Sequence, residues 1–178
     1  MNIYILRSDY DKYQSFCFRN EADAEVASRF NGKPIPDWEP VPVEPDEEDG
    51  DHLPASDFPS LLVSHMPIFS QRAVDELGDI LEPNGQLLPL DYNRGLYYAY
   101  NVTKLVNALD EERSEIVRFS TGRIMDIKRY AFVRDELDEG LTIFKLLPTP
   151  LLRVFVTDRF VKAVEEAGLT GFKFLPAV

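Results

Sequence analysis

One stretch constrains this chain more than any other: residues 60–90, SLLVSHMPIFSQRAVDELGDILEPNGQLLPL. Leu61, Leu62 and Val63 read as a short strand, and Met66 to Phe69 carries the chain to a helix start. Ser70 suits an N-cap, because its hydroxyl can accept one of the first unpaired backbone N–H groups. From there Ala73, Val74, Leu77, Ile80 and Leu81 recur at the three-and-four spacing of one helical face. Asp75, Glu76, Asp79 and Glu82 fill the opposite face. Pro83-Asn84-Gly85 ends the helix, since Pro cannot continue it and Asn or Gly can take a left-handed turn. A second extended run, LLPL, follows.

The same layout returns in residues 151–176, LLRVFVTDRFVKAVEEAGLTGFKFLP. A strand-like LLRVFV leads to Thr157, Val161, Val164 and Ala167 make the apolar face, and Gly168 stops the helix. Aligning Ser70 with Thr157 also aligns Arg72 with Arg159, Val74 with Val161 and Leu77 with Val164. Two copies are too few for a solenoid. Two ordinary strand–helix–strand units explain the pattern without a duplication.

Between and before these units the signals are shorter. Residues 2–6 and 13–18 read as two strands joined by a polar turn, and Asn20 as the cap of a helix over 21–30 with Ala22, Val26, Ala27 and Phe30 inward. Later strands are expected at 96–102, 116–119, 124–127, 130–133 and 141–147, with a short helix or turn after Lys104. Strands grouped in runs, with the helices apart from them, predict an α+β fold. Its sheets are mixed or antiparallel and carry a few amphipathic helices. The expected organisation is a segment 1–33, an acidic Pro-rich loop 34–59 and a main domain 60–178, or one domain continuous with 1–33.

Charge is unevenly spread. The net of −12 divides into 14 acidic and 5 basic residues up to residue 69, and 17 acidic and 14 basic after it. Between Pro34 and Gln71 there is no Lys or Arg, while nine acidic residues and eight prolines fall there. Proline removes donors and fixes φ, so this reads as a loop with polyproline-like pieces and not as a helix or central strand. Trp38 within it is too large an apolar side chain to leave in a linker, and is expected to dock on the body. Such a balance excludes a binder of phosphate backbones, which needs a basic face, and favours a basic partner. No window is long and apolar enough for a membrane span, and the N-terminus is too short and acidic for a signal peptide. A cytoplasmic protein is the expectation.

Catalytic spacings are absent. There is no phosphate-cradling Gly-x4-Gly-Lys, no Gly-x-Gly-x-x-Gly, no Gly-x-Ser-x-Gly and no His-Glu-x-x-His. His52, His65 and the lone Cys17 make a poor zinc set. An EF-hand register on Gly50 puts Pro45 at the first ligand position and Ser56 at the twelfth, so it fails. Glu47-Glu48 and Asp110-Glu111-Glu112 supply paired carboxylates, which in runs like these are usually a solvated face. Cys17 sits in an apolar run and reads as an inert thiol. Asn101-Val-Thr103 fits a glycosylation site that a cytosolic chain never uses. No metal, cofactor or enzymatic site is expected.

Five pieces together resemble a bacterial immunity-protein family found beside polymorphic and contact-delivered toxins, such as those of type VI secretion. They are PIFSQRAVDELGDIL with NGQLLPL, YYAYNVTKLVNALDEERSEI, GRIMDIKRYAFVRDEL, LTIFKLLP and VFVTDRFVKAVEEAGLTGFKF. The shared marks are Arg72-Ala73, Asn101, Leu109-Asp110 with Ser114, Ile143-Phe144 and the Gly168–Phe172 run. Trp38-Glu39-Pro40 resembles a Trp-x-Pro common in the N-terminal part of the family. The resemblance implies a non-enzymatic protein that binds a cognate toxin and blocks it.

These readings converge on an immunity protein that occludes a toxin with a basic surface. The acidic loop is the candidate contact: Asp46, Glu47, Glu48, Asp49 and Asp51 supply the field, beside Glu39, and Trp38 an aromatic anchor. The exposed face of either helix is the competing contact. Two other classes stay open, an acidic adaptor module and a hydrolase using carboxylates such as Asp110 and Glu112.

Overall fold

The computed structural model describes residues 1–48, 52–61 and 65–178. Asp49 and Asp51 of the acidic loop, and Leu62 and Val63 of the first expected strand, lie outside them. Leu61 itself makes one parallel bridge to Phe16.

The fold is α+β, with two five-stranded sheets, a two-stranded one and two α-helices among the described residues. The first sheet runs β12 (Phe172–Pro176), β1 (Ile3–Ser8), β11 (Phe155–Thr157), β10 (Ile143–Leu146) and β7 (Leu105–Val106). The second runs β2 (Phe16–Phe18), β3 (Val41–Pro45), β5 (Gly85–Asp91), β6 (Tyr97–Val102) and β4 (Ile68–Ser70). A separate hairpin pairs β8 (Glu115–Arg118) with β9 (Ile124–Arg129).

Helix α1 (Gln71–Leu81) and helix α2 (Asp158–Glu166) sit in two units built alike. β4, α1 and β5 embrace β6, which is antiparallel to both strands. β11, α2 and β12 embrace β1 in the same way. Each unit is therefore a parallel strand pair split by one antiparallel strand, with the helix as crossover.

The helix ends show why the sequence works locally. Ser70 Oγ accepts the Ala73 N–H at 3.1 Å, the expected cap. Thr157 does not cap α2, because its hydroxyl donates to the Leu141 carbonyl at 2.6 Å. At the C-terminus of α2, Gly168 turns left-handed at φ 59°; its N–H reaches Glu165 O and the Leu169 N–H reaches Val164 O. That is a Schellman closure. α1 ends differently from expectation: residues 82–84 tighten into a 3₁₀ turn and Gly85 is fully extended at φ −178°. Gly85 is needed for space, since a Cβ there would meet the Asn101 carbonyl and the Tyr100 ring.

Three apolar clusters hold these layers together. The first draws on both helices and both large sheets, through Ala73, Leu77, Leu81, Phe160, Val164, Phe69, Tyr100 and Val156. The second covers the other face of the first sheet with Tyr130, Phe132, Phe144 and Phe155. Because successive strand residues face opposite sides, Ile143 and Phe144 serve different clusters. The third joins Phe16, Phe30, Val43, Ile68 and Leu88 on the second sheet.

Several expectations are corrected. The Pro-rich segment contains β3, an inner strand between β2 and β5. Prolines lack a donor but keep a carbonyl, and Pro42 O accepts the Arg19 N–H at 3.1 Å. Residues 21–29 are 3₁₀ helix, and Asn20 binds the Asp23 carboxylate instead of capping it. Ala22 is exposed and only Phe30 is fully inward. Residues 130–133 form no strand; Phe132 makes a single bridge to Leu109.

Candidate functional site

The acidic arm is anchored to the body at Trp38 and then runs through β3. Trp38 Nε1 donates to the Pro89 carbonyl at 2.8 Å, and its ring meets Phe30 edge-on with centroids 5.8 Å apart. Docking on the body, as expected from its size, leaves the indole half-buried. Glu39 next to it is exposed. β3 is pinned by β2, with Cys17 opposite Glu44 and Phe18 opposite Val43, and Val43 is fully buried.

Beyond β3 the chain turns outward. The Asp46 N–H donates to the Ser15 carbonyl at 2.9 Å, while Asp46 Oδ1 takes the Glu48 N–H at 3.4 Å. Asp46 is half-buried; Glu47 and Glu48 are exposed. Asp46 and Glu47 share a shallow cleft with Glu44, Arg19 and Arg94. The described part of the arm thus presents Glu39, Glu47 and Glu48 to solvent on either side of β3, whose own backbone is fixed by strand pairing. Trp38 is at its root, next to Glu39, and is not among the residues lining the cleft of Glu44, Asp46 and Glu47.

Where the start of α1 meets the end of α2 lies a polar node that sequence reasoning missed. Asp57, 7% exposed, accepts the Ser70 hydroxyl, an Arg72 guanidinium N–H at 2.8 Å, and the Thr170 N–H at 2.9 Å. Arg72 also donates to the carbonyls of Ala167 and Gly168. A cation on those terminal carbonyls suits the negative end of α2. One carboxylate thus ties the start of α1 to the end of α2. The only hint in the sequence was Arg72 sitting two residues after a cap.

Two of the carboxylates weighed for catalysis hold local structure, while Glu112, Glu47 and Glu48 are exposed. Asp110 caps a turn through the Arg113 N–H at 3.1 Å, and Glu111 pairs with Arg118 at 2.6 Å. Among the described residues no three His, Cys, Asp or Glu side chains gather as a metal set. Burial, followed by Glu44 and neighbouring acids, pushes the Cys17 thiol up, away from reactivity. Asn101 is completely buried, its amide donating to Lys33 O at 2.8 Å and Gln86 Oε1 at 3.0 Å. His52 is exposed, and His65 lies beside Arg153. No helix among the described residues is long and apolar enough to cross a membrane.

A second surface stands out on the opposite half of the chain. Phe119, Met125, Leu147 and Leu151 are each 44–51% exposed. Phe119, Met125 and Leu151 line one concavity between the β8–β9 hairpin and residues 148–152, rimmed by Arg118 and Arg123. Exposed apolar side chains gathered this way mark contact surfaces more often than single ones do.

Residues 92–178 match the model of an immunity protein family, Imm11. This span holds β6 to β12 and α2, and bears out the resemblance over that half of the chain. The acidic arm lies outside it. No curated protein matches the chain.

Proposed function

We propose that this chain, whose C-terminal half matches an immunity protein family, binds a cognate bacterial toxin and neutralises it by occlusion, without chemistry of its own. The observation that carries the reading is the Imm11 match over residues 92–178. The acidic character supports a partner with a basic surface, since a net charge of −12 speeds encounter with one. The first contact is the arm: Glu39, Asp46, Glu47, Glu48, Asp49 and Asp51 provide the field, and Trp38 holds the arm in place while offering part of its ring. Exposed rim carboxylates of this kind act mainly on association rate and partner choice. The protein works in the cytoplasm, where a delivered toxin acts. The test is co-expression with the product of the neighbouring gene, scored by growth and by co-purification.

A second reading of the contact surface has its own support. The apolar concavity of Phe119, Met125 and Leu151 lies inside the matched half, and the arm does not. In that reading the hairpin surface supplies the affinity and the arm only steers. Serine at Phe119 and Met125 then weakens the complex by slowing nothing and speeding dissociation, whereas arm variants slow association.

A further inference from the structure

Just beyond the β1–β11 ladder two arginines, Arg7 and Arg153, line one cleft. Ile3, Tyr4 and Ile5 lie opposite Thr157, Val156 and Phe155, and the Leu6 N–H continues the ladder to Val154 O at 2.9 Å. Extending that register by one residue puts Arg7 opposite Arg153, and the two act on one another electrostatically. On the other side of β1, Arg7 is opposite Lys173. Like charges directly opposite across strands are destabilising. Lys173 is relieved by Asp9 and Asp11, at 4.0 and 3.4 Å. Among the described residues, neither Arg7 nor Arg153 has an ion pair.

Both arginines line a cleft floored by Leu6, Leu61 and Val154, and His65 closes one side. Arg153 donates to His65 Nε2 at 2.9 Å. Arginine has no acceptor, so this imidazole nitrogen is the acceptor and the ring is neutral with its proton on Nδ1. Burial first, then Arg153 and Arg7, depress the His65 pKa; Asp126 opposes and Lys145 adds to the fall. Burial and the facing Arg153 also lower Arg7, against weak help from Tyr10 and Tyr130. Tyr130, 4% exposed and within electrostatic reach of Arg153, Asp126 and Arg7, has a hydroxyl with no hydrogen-bond partner among the described residues. The cleft thus joins a half-buried pair of arginines to a neutral imidazole, with Tyr130 and Asp126 within electrostatic reach, and no carboxylate among the described residues lines it.

We propose that this cleft binds a small oxyanion, a carboxylate or phosphate-type group, between the guanidinium groups of Arg7 and Arg153. Two guanidinium forks match oxyanion geometry. The anion offsets the repulsion between the two guanidinium groups. Its source is either a free ion or an acidic side chain of the partner; the second possibility rests on the immunity reading and the first does not.

The test uses the intact chain near neutral pH, where His65 is neutral. Sodium phosphate and sodium acetate are titrated against chloride at constant ionic strength, read by the His65 ring and arginine Nε NMR signals. A saturable shift is expected, weakened about tenfold or more in both Arg7→Gln and Arg153→Gln, as the loss of one charge-assisted hydrogen bond implies. Both variants should keep their fold and gain thermal stability in anion-free buffer, because each removes the repulsion. If the isolated protein ignores both anions but Arg153→Gln weakens the toxin complex, the partner supplies the carboxylate. A saturable shift that survives in both variants overturns the proposal. So does the absence of any shift together with an unchanged complex.

Discussion

Arg72 and Asp57 lie 2.8 Å apart, with the Asp57 side chain 9% exposed and that of Arg72 54% exposed. The carboxylate is the inner partner, and it also serves Ser70 and Thr170. Asp57→Ala should therefore cost about 3–5 kcal/mol, because it strands a guanidinium, a hydroxyl and a backbone N–H at once. Arg72→Met should cost less, about 1–2 kcal/mol, since its charge is half in water. Urea unfolding of the two variants checks the order. An equal cost would mean that Arg72, and not Asp57, organises the node.

Leu77 is 1% exposed on the inner face of α1. Leu77→Ala should destabilise by about 2–5 kcal/mol through lost burial and a residual cavity. Glu76→Ala, on the exposed face, should change stability by less than about 0.5 kcal/mol. A Leu77 variant within 1 kcal/mol of the parent, by about the same scale, would contradict the packing described.

How stability changes with pH follows from Lys145. This side chain is 4% exposed in β10, donates to the Phe30 carbonyl, and burial lowers its pKa to about 8. The unfolded chain then binds more protons than the folded one between about pH 8 and the lysine reference near 10.5. Stability should rise across that interval until the tyrosines intervene. Burial holds Tyr130 up at about 12 and Tyr100 higher still, so folded tyrosines resist ionising and stability falls again once unfolded tyrosines titrate near pH 10. Denaturant midpoints from pH 7 to 10 should show the rise in the parent and lose it in Lys145→Met.

Much of this was legible locally, and the exceptions have physical causes. The Ser70 cap, the apolar face of α1 and the glycine stop of α2 are encoded within a few residues of where they act. β3 was not legible, because proline forbids donors in general while a strand with carbonyl-only pairing at Pro42 tolerates it. Thr157 looked like Ser70 but donates its hydroxyl across the sheet to Leu141. The inner place of β1 depends on partners more than 140 residues away, which no local period reports. As for the candidate site, the acidic run was plain in composition, and Trp38 was rightly expected on the body. The exposed patch at Phe119 and Met125 was hidden, since apolar residues in a strand pattern read as core.

The acidic arm gives a kinetic prediction. Replacing residues 46–49 and 51 with Ser and Asn should slow toxin association and flatten its salt dependence, leaving dissociation nearly unchanged. Stopped-flow or surface-based kinetics at two salt concentrations measure this. Unchanged association rates would remove the arm from the encounter and leave the β8–β9 surface as the contact.

The account stands on toxin neutralisation, and one measurement reaches it directly. The neighbouring gene product is expressed in cells with and without this chain, followed by growth and by purification of any complex. The account predicts growth arrest by the neighbour alone, rescue by this chain, and a stable complex of the two. A neighbour that arrests growth regardless of this chain, or rescue with no complex formed, would contradict it.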